Sequence, residues 1–438
     1  MTADKTTIQD LSIFNFEEEN SIYHHLDFTK TSGGREWLKF YLSNPLDSVE
    51  KIVERQQLLK SILSVKDKWP DRILNGTVMM MERYFESSFV EIPARPTLLS
   101  SALYRITYKS DYSLIEYSVG HFQDFFLGLN AIKEALKDQK LPVELAVKIE
   151  RITRLLSMPG IQSFLLKTEG KKLSVQAVLR RGYFLRRHFK NEAFEMINIY
   201  SQLDAYFSMA VAAEKLNFHY PEFLKSNSPQ VEGKQIFHPL LKHPVAYDIH
   251  LDQKENFLFL TGANMAGKST FIKAVGVSVY LAHTGMAVPA QSLQLTYFDG
   301  LLSNIQMSDN IAKGESYFYN EVQRIRKTID KISDGKNWLI LIDELFKGTN
   351  VQDAMKCSTV VIQGLLKMQN ALFILSTHLY EIGEALVKYP NVQFCYLETE
   401  VHDDELTFNY RLKPGISNDR LGYLILKNEG VIEMLENL

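Results

Sequence analysis

Apolar residues recur at three- and four-residue intervals from about residue 46 to 222, most plainly in VEKIVERQQLLKSIL (49–63) and MINIYSQLDAYFSMAVAAEKL (196–216). That spacing gathers them on one face of a helix, so this half is predicted to be mostly α-helical. Pro93, Pro96, Pro142, Pro159 and Pro221 stand where the periodicity breaks and mark helix ends, because proline lacks the N–H that a helix interior needs. The pattern changes character at the polar stretch SNSPQVEGKQ (226–235), read as a boundary. From about residue 236, short apolar runs alternate with helical segments: FLFL (257–260), WLILID (338–343), ALFILSTH (371–378), VQFCYLET (392–399) and LTFNYRL (406–412). Alternation of that kind predicts a mainly parallel sheet with helices on both faces. The last two runs flank the acidic VHDDE and read as an antiparallel hairpin.

The run at 257–260 leads into Gly262, Ala263, Asn264, Met265, Ala266, Gly267, Lys268, Ser269 and Thr270, a glycine-rich loop opening a helix-compatible FIKAVGVSVYLA (271–282). Such a loop turns its backbone N–H groups inward around a polyphosphate, with Lys268 on the outer phosphates and the Ser269 hydroxyl on Mg²⁺. The chain is therefore expected to bind a nucleoside triphosphate. Four aliphatics, Leu339 to Ile342, end in Asp343 and Glu344, at the strand end where parallel sheets place ligands. Asp343 is the expected Mg²⁺ partner and Glu344 the general base that polarises the attacking water, although an Asp-Glu pair after a strand also starts helices. Phe373 to Leu375 lead to Ser376, Thr377 and His378 at the same sheet edge, where His378 is either a sensor of the γ-phosphate or a satisfied structural histidine. Between these motifs, Gly314-Glu315-Ser316 opens a helix and is either a second anion site or a plain cap.

Composition narrows the function classes. A chain of 438 residues with 45% hydrophobic and 23% charged residues is an ordinary globular protein of two or three domains. Two cysteines, Cys357 and Cys395, leave no disulfide framework to propose. A polar start and the lack of a long apolar run give no secretory signal and no membrane span, so the cytoplasm is the expected location. Net charge of −3 confines any nucleic-acid contact to a local patch. The densest candidate is Arg180, Arg181, Arg186, Arg187, His188 and Lys190, interleaved with Tyr183, Phe184 and Phe189. On a helix these cations spread over more than one face, so a solvated lever or a helix crossing accounts for them as well as DNA does.

Taken together, TGANMAGKST, SDNIAKGESYFYNEV, LIDELFKGTN and STHLYEIG resemble, in order, the nucleotide motifs of the MutS family of DNA mismatch repair ATPases. Residues 26–62 are similar to the start of that family's helical core, with Thr29, Thr31, Gly34, Arg35, Pro45, Leu46 and Arg55 in place, and KPGISNDRLGYLILKNEGV (413–431) resembles its C-terminal element leading into dimerisation helices. The resemblance implies a homodimer in which ATP, bound with Mg²⁺, lies between one subunit's phosphate loop and the other's signature helix, so that Ser316 acts in trans.

The resemblance has departures. Residues 1–25 leave no room for the family's mismatch-reading and connector domains, and Phe16-Glu17-Glu18 spells the reader's Phe-x-Glu motif only in isolation. A nuclease-like Smr domain, carried by another branch of the family, is not expected here. Glu315, Tyr317 and Phe346-Lys347 stand where the repair proteins usually carry a basic residue, threonine and Gly-Arg. The expected fold class is α+β multidomain: an N-terminal extension (1–25), an all-α core/lever domain (26–225), and a P-loop (ABC-type) α/β ATPase domain with C-terminal dimerisation helices (226–438). The expected function is a Mg²⁺-dependent, DNA-stimulated ATP hydrolase that clamps duplex DNA by shape or branching, in mismatch repair or related recognition, with downstream repair factors and no membrane as partners. A nucleotide-gated module for a protein or ribosomal partner, or for recombination control, is the alternative. A transporter ATPase is disfavoured because 308–321 contains no Leu-Ser-Gly-Gly run.

Overall fold

The computed structural model describes residues 1–166, 173–305, 317–402, 405–417 and 430–436. They group into two compact units: Met1–His25 with Asn44–Ile52 and Ala213–Leu438, and Leu26–Ser43 with Val53–Ala212. The expected boundaries differ from this grouping at the front of the chain. Residues 1–25 are not a separate extension but belong with the sheet-bearing unit, because β1 (Thr2–Ala3) pairs with its sheet and α1 (Lys5–Asp10) packs against the neighbouring strand of that sheet, Gly300–Asn304. A short α2 (Ile22–His25) follows.

The second unit is built from helices: α3 (Ser32–Ser43), α4 (Val49–Leu63), α5 (Asn75–Glu86), α6 (Leu98–Thr107), α7 (Lys109–Leu136), α8 (Val143–Leu156), α9 (Pro159–Leu165), α10 (Val175–His188) and α11 (Lys190–Lys215). The unit boundaries fall inside α4 and α11. The prolines keep out of helix interiors, with Pro142 capping α8 and Pro159 opening α9. Along α7, Tyr112, Ile115, Val119, Phe122, Phe126 and Leu129 form one buried stripe at helical spacing. Phe126 meets the rings of Phe164 and Phe189 nearly edge-on, with centroids 5.3 and 5.6 Å away. Each such ring contributes about 2–3 kcal/mol of burial.

The turn leading into α3 is fixed from α11. The buried Asp204 carboxylate accepts the N–H groups of Lys30 and Thr31 at 3.0 and 2.9 Å and the Thr31 hydroxyl at 2.7 Å. Gly34 passes so close that a β-carbon there would lie 2.1 Å from the same carboxylate. Arg55 lies over Tyr41 and Tyr206, 4.7 and 5.0 Å from their centroids, and those two rings are themselves stacked at 4.5 Å. Thr31, Gly34 and Arg55 are thus packing residues.

The first unit carries two sheets. Its strands are β2 (Glu222–Phe223), β3 (Val231–Ile236), β4 (Tyr247–Leu251), β5 (Phe257–Thr261), β6 (Ser292–Leu295), β7 (Gly300–Asn304), β8 (Trp338–Asp343), β9 (Ala371–Ser376), β10 (Val392–His402) and β11 (Glu405–Pro414). Its helices are α12 (Lys268–His283), α13 (Tyr317–Ile332), α14 (Val351–Leu365), α15 (Glu381–Leu386) and α16 (Val431–Glu436). The larger sheet runs β1-β7-β8-β9-β5-β10-β11, parallel throughout except for the β10–β11 hairpin. The smaller sheet runs β2-β6-β3-β4 and includes β3, so the stretch read as a polar boundary is in part a strand. Strands β5, β8 and β9 are buried at every position, which explains runs of aliphatics without alternation.

Candidate nucleotide site

Register decides what meets at the rim of the larger sheet. β9 lies between β5 and β8, pairing Leu260 with Ser376 and Ser376 with Asp343, so the phosphate loop and both later motifs emerge side by side. Gly262 and Gly267 hold φ of 142° and 99°, backbone that residues with a β-carbon rarely adopt, and the loop closes directly onto α12. Lys268 is 6% exposed, with its ammonium donating to the carbonyl oxygens of Gly262 and Ala263 at 2.8 and 3.0 Å. Burial lowers its pKa, opposed by the charges of Glu344 and Asp343. A cleft of about 420 Å³ opens over the loop, walled by residues 263–265 and 267–270, Asp343, Glu344 and Lys347.

The Ser269 hydroxyl donates to one oxygen of Asp343 at 2.5 Å, and the Ser376 hydroxyl donates to the other. A hydroxyl and a carboxylate side by side at the mouth of a phosphate loop are the donor set Mg²⁺ takes when phosphates and water complete its shell, so the residues fit the ion. Glu344 holds a left-handed φ of 65° while its N–H donates to the Ser376 carbonyl at 2.9 Å. Its carboxylate faces Nδ1 of His378 at 3.2 Å and Nζ of Lys347 at 3.3 Å. Burial pushes its pKa up, but the hydrogen bond from His378 and the charges of Lys347, His378 and Lys268 prevail and hold it at about 2. His378 thus belongs to the site by its contact with Glu344.

Two roles were not legible from the motifs alone. Ser376 steers Asp343 because their strands end in register, a relation that only the strand order reveals. Glu321 on α13 is 3% exposed and accepts the N–H groups of Lys347 at 3.0 Å and Gly348 at 3.1 Å, so it holds the loop that carries Glu344. Phe346, between them, also has a left-handed φ (60°) and buries its ring against Phe318 of α13, with centroids 5.6 Å apart. Each such non-glycine conformation costs on the order of 1 kcal/mol, sustained here by the surrounding bonds and packing. Ser316 and the rest of 306–316 lie outside the described residues.

The basic cluster divides on inspection. Arg181 is buried, donating to Gln123 at 3.2 Å and to the Ser163 carbonyl, with its guanidinium over the Phe164 ring. Arg186 donates to the carbonyl oxygens of Tyr84 and Ser87 at 2.6 and 2.7 Å. These bonds tie both side chains into the helical unit. Arg180, Arg187 and Lys190 are exposed, and Arg187 faces Glu91 at 3.5 Å. Among the described residues no helix is long and apolar enough to cross a membrane.

Residues 258–435 match the family described as MutS domain V. The chain is 28% identical over 253 residues to the DNA mismatch repair protein MutS of Staphylococcus haemolyticus, which covers 56% of this chain and 28% of that protein. It is 27% identical over 239 residues to the DNA mismatch repair protein MutS of Oceanobacillus iheyensis, covering 53% of this chain and 27% of that one. The matched stretch is thus under a third of the length of either relative. The region that folds around the phosphate loop and its facing carboxylates is thus similar to MutS domain V, and over about half its length the chain is similar to the DNA mismatch repair proteins MutS.

Proposed function

We propose that the chain binds ATP with Mg²⁺ and hydrolyses it, and that two copies close on DNA as they do so. The observation that supports this most strongly is the meeting of Lys268, Ser269, Asp343 and Glu344 in one cleft, from parts of the chain that only the sheet brings together. In this reading Lys268 and the loop amides bind the outer phosphates, Ser269 and Asp343 hold the ion, and Ser376 keeps Asp343 turned toward it. Mg²⁺ supplies charge neutralisation at the phosphates. Glu344, ionised because of His378 and Lys347, orients the water. A carboxylate whose pKa is about 2 is a reluctant proton acceptor near neutral pH, so its main work is alignment. The helical unit, as a core and lever, carries the DNA contact, with Arg180, Arg187 and Lys190 as its exposed cations and shape or branching as the feature read. Ser316 completes the partner's site.

Because the matched stretch is under a third of the length of either relative, a second reading stands beside it, a nucleotide-gated switch for a protein partner in which hydrolysis only resets the state. ATP turnover measured with linear, branched and mismatched DNA separates the two. Stimulation by any of these supports the DNA reading, and indifference to all of them supports the switch. Glu344→Gln is expected to bind ATP, stall hydrolysis and accumulate as a dimer; a monomer under those conditions overturns the two-copy site.

A further inference from the structure

A second cavity, of about 350 Å³, lies wholly within the helical unit, where α5 ends, residues 89–92 follow it, and α10 passes into α11. Phe85 and Ile92 in its lining are buried, and the rings of Phe89 and Tyr183 are half-buried. Arg187 and Lys190, both exposed, also line it. Its walls are pinned by bonds. Arg186 donates to the carbonyl oxygens of Tyr84 and Ser87 at the end of α5, where a helix leaves such groups without partners, and its guanidinium lies 5.1 Å from the centroid of Phe89. The Val90 N–H donates to Asp111 at 3.0 Å, and the Val90 carbonyl accepts the Tyr104 hydroxyl at 3.1 Å.

Charge decides the class of ligand. The lining holds three cations, Arg186, Arg187 and Lys190, against one carboxylate, Glu91, an excess of two positive charges. Both acceptors of Arg186 are neutral, and among the described residues Lys190 has no acidic partner. Glu91 faces Arg187 at 3.5 Å, but its side chain is 82% exposed, and so open a pair is weak and readily exchanged for another anion. A phosphomonoester carries about −1.5 to −2 near neutral pH and an internal phosphodiester only about −1, so the monoester is the better match. The half-buried rings offer a face to a nucleobase, and the volume lies at the small end of the roughly 300–1,000 Å³ of ligand sites.

We propose that this cavity binds a terminal nucleoside monophosphate, its phosphomonoester on Arg187 and Lys190 and its base against Phe89 and Tyr183. Arg186, bound inward, holds the wall and adds its charge. The inference rests on the reading of Arg187 and Lys190 as ligand-facing cations and deepens it from the flank of a duplex to the end of a strand; a free nucleotide carries the same chemistry.

The test uses the full chain carrying Lys268→Ala, so that the phosphate loop does not take up the probe. Fluorescence anisotropy compares one duplex with a single-nucleotide overhang in three forms: with a 5′-phosphate on that nucleotide, with a 5′-hydroxyl, and with a 5′-phosphorylated abasic unit in its place. The first is expected to bind about fivefold or more tighter than the others, the low end for one stacked base, and Phe89→Leu with Tyr183→Leu should bring all three within about twofold. Glu91→Gln, at an exposed position, should widen the advantage of phosphate over hydroxyl by removing the competing charge, and it decides the matter if the ring variants do not fold. A ratio that Glu91→Gln leaves unchanged overturns the assignment of the phosphate. If DNA binds and the three forms bind alike, the cavity is no nucleotide site, while the reading of the cations as DNA contacts stands. If no DNA binds, thymidine 5′-monophosphate titrated alone separates the sources. Saturable binding that the ring variants abolish identifies a free nucleotide as the occupant and removes the DNA reading, and no binding overturns both.

Discussion

Ser269 and Asp343, 74 residues apart in the chain, share a hydrogen bond of 2.5 Å. One closes the phosphate loop and the other ends β8, so this contact ties loop to sheet at the point where a divalent ion fits. Ser269→Ala is expected to weaken ATP binding in Mg²⁺ by about 10- to 100-fold, the cost of one lost ion ligand and its orientation. The loss should be small when Mg²⁺ is chelated. Titration of a fluorescent nucleotide with and without the ion decides it, and an equal loss in both conditions would remove the hydroxyl from the ion's shell.

Glu321 accepts from two loop N–H groups, those of Lys347 and Gly348. Glu321→Ala strands both in a buried place, at about 1–3 kcal/mol each. Urea unfolding should register a loss of roughly 2 kcal/mol or more, and turnover should fall further than ATP affinity because Glu344 rides on the same loop. A stability change below half a kcal/mol, on the scale of an ordinary surface substitution, would contradict this.

His283 donates from Nδ1 to the Val279 carbonyl and accepts the Phe298 N–H on Nε2, so the ring is held neutral. Burial takes its pKa down to about 3, and burial, with Lys273 beside it, takes that of His238 down to about 4. Both folded values lie below the ordinary histidine value, so the unfolded chain binds more protons. Stability is full above pH 6.5 and drains as pH falls toward 4, by roughly 1.4 kcal/mol per pH unit for each histidine. Urea midpoints at pH 7.5, 6.0 and 5.0 should fall in that order, and a midpoint that rose on acidification would show the sign to be wrong.

In the helical unit, Gly34→Ala drives a methyl group into the Asp204 carboxylate, which cannot retreat without releasing Lys30 and Thr31. A loss of about 2 kcal/mol or more is expected in thermal unfolding. Gly120→Ala, on α7 with open space around it, is the matching control and should stabilise or do nothing.

Arg180, Arg187 and Lys190 changed together to alanine are expected to weaken DNA binding and flatten its dependence on salt, with stability retained, since each exposed cation that meets a phosphate adds to the salt slope. Arg181→Ala should instead lower stability. Equal salt slopes before and after the triple change would clear this face of any DNA contact.

The elements that could be read in advance are those whose neighbours matter least. β8 is WLILID from end to end, because a strand covered on both faces has no reason to alternate. α4 spans 49–63 as its apolar spacing predicts. The strands β1, β3, β6 and β7 were not foreseen, being two to six residues long and dependent on partners distant in the chain: Thr2 needs Gly300, and Gly233 needs both Ile249 and Leu293. At the site, the phosphate loop and Asp343 announce themselves because phosphate and metal chemistry restricts the residue types. Glu321 and Ser376 do not, since their parts are set by register and by one helix lying beside one loop. Arg181 and Arg186 show the converse, cations whose chemistry suggests a ligand and whose bonds are internal.

The order of strands has one more result. At one margin of the larger sheet stands a two-residue strand, Thr2–Ala3, too short to template a neighbour. At the other stands β11, which bears Arg411 and Lys413 and stops at Pro414, a residue with no amide hydrogen to offer an approaching backbone. Neither border invites another molecule to extend the sheet, so copies of this protein are steered away from fibre-like stacking.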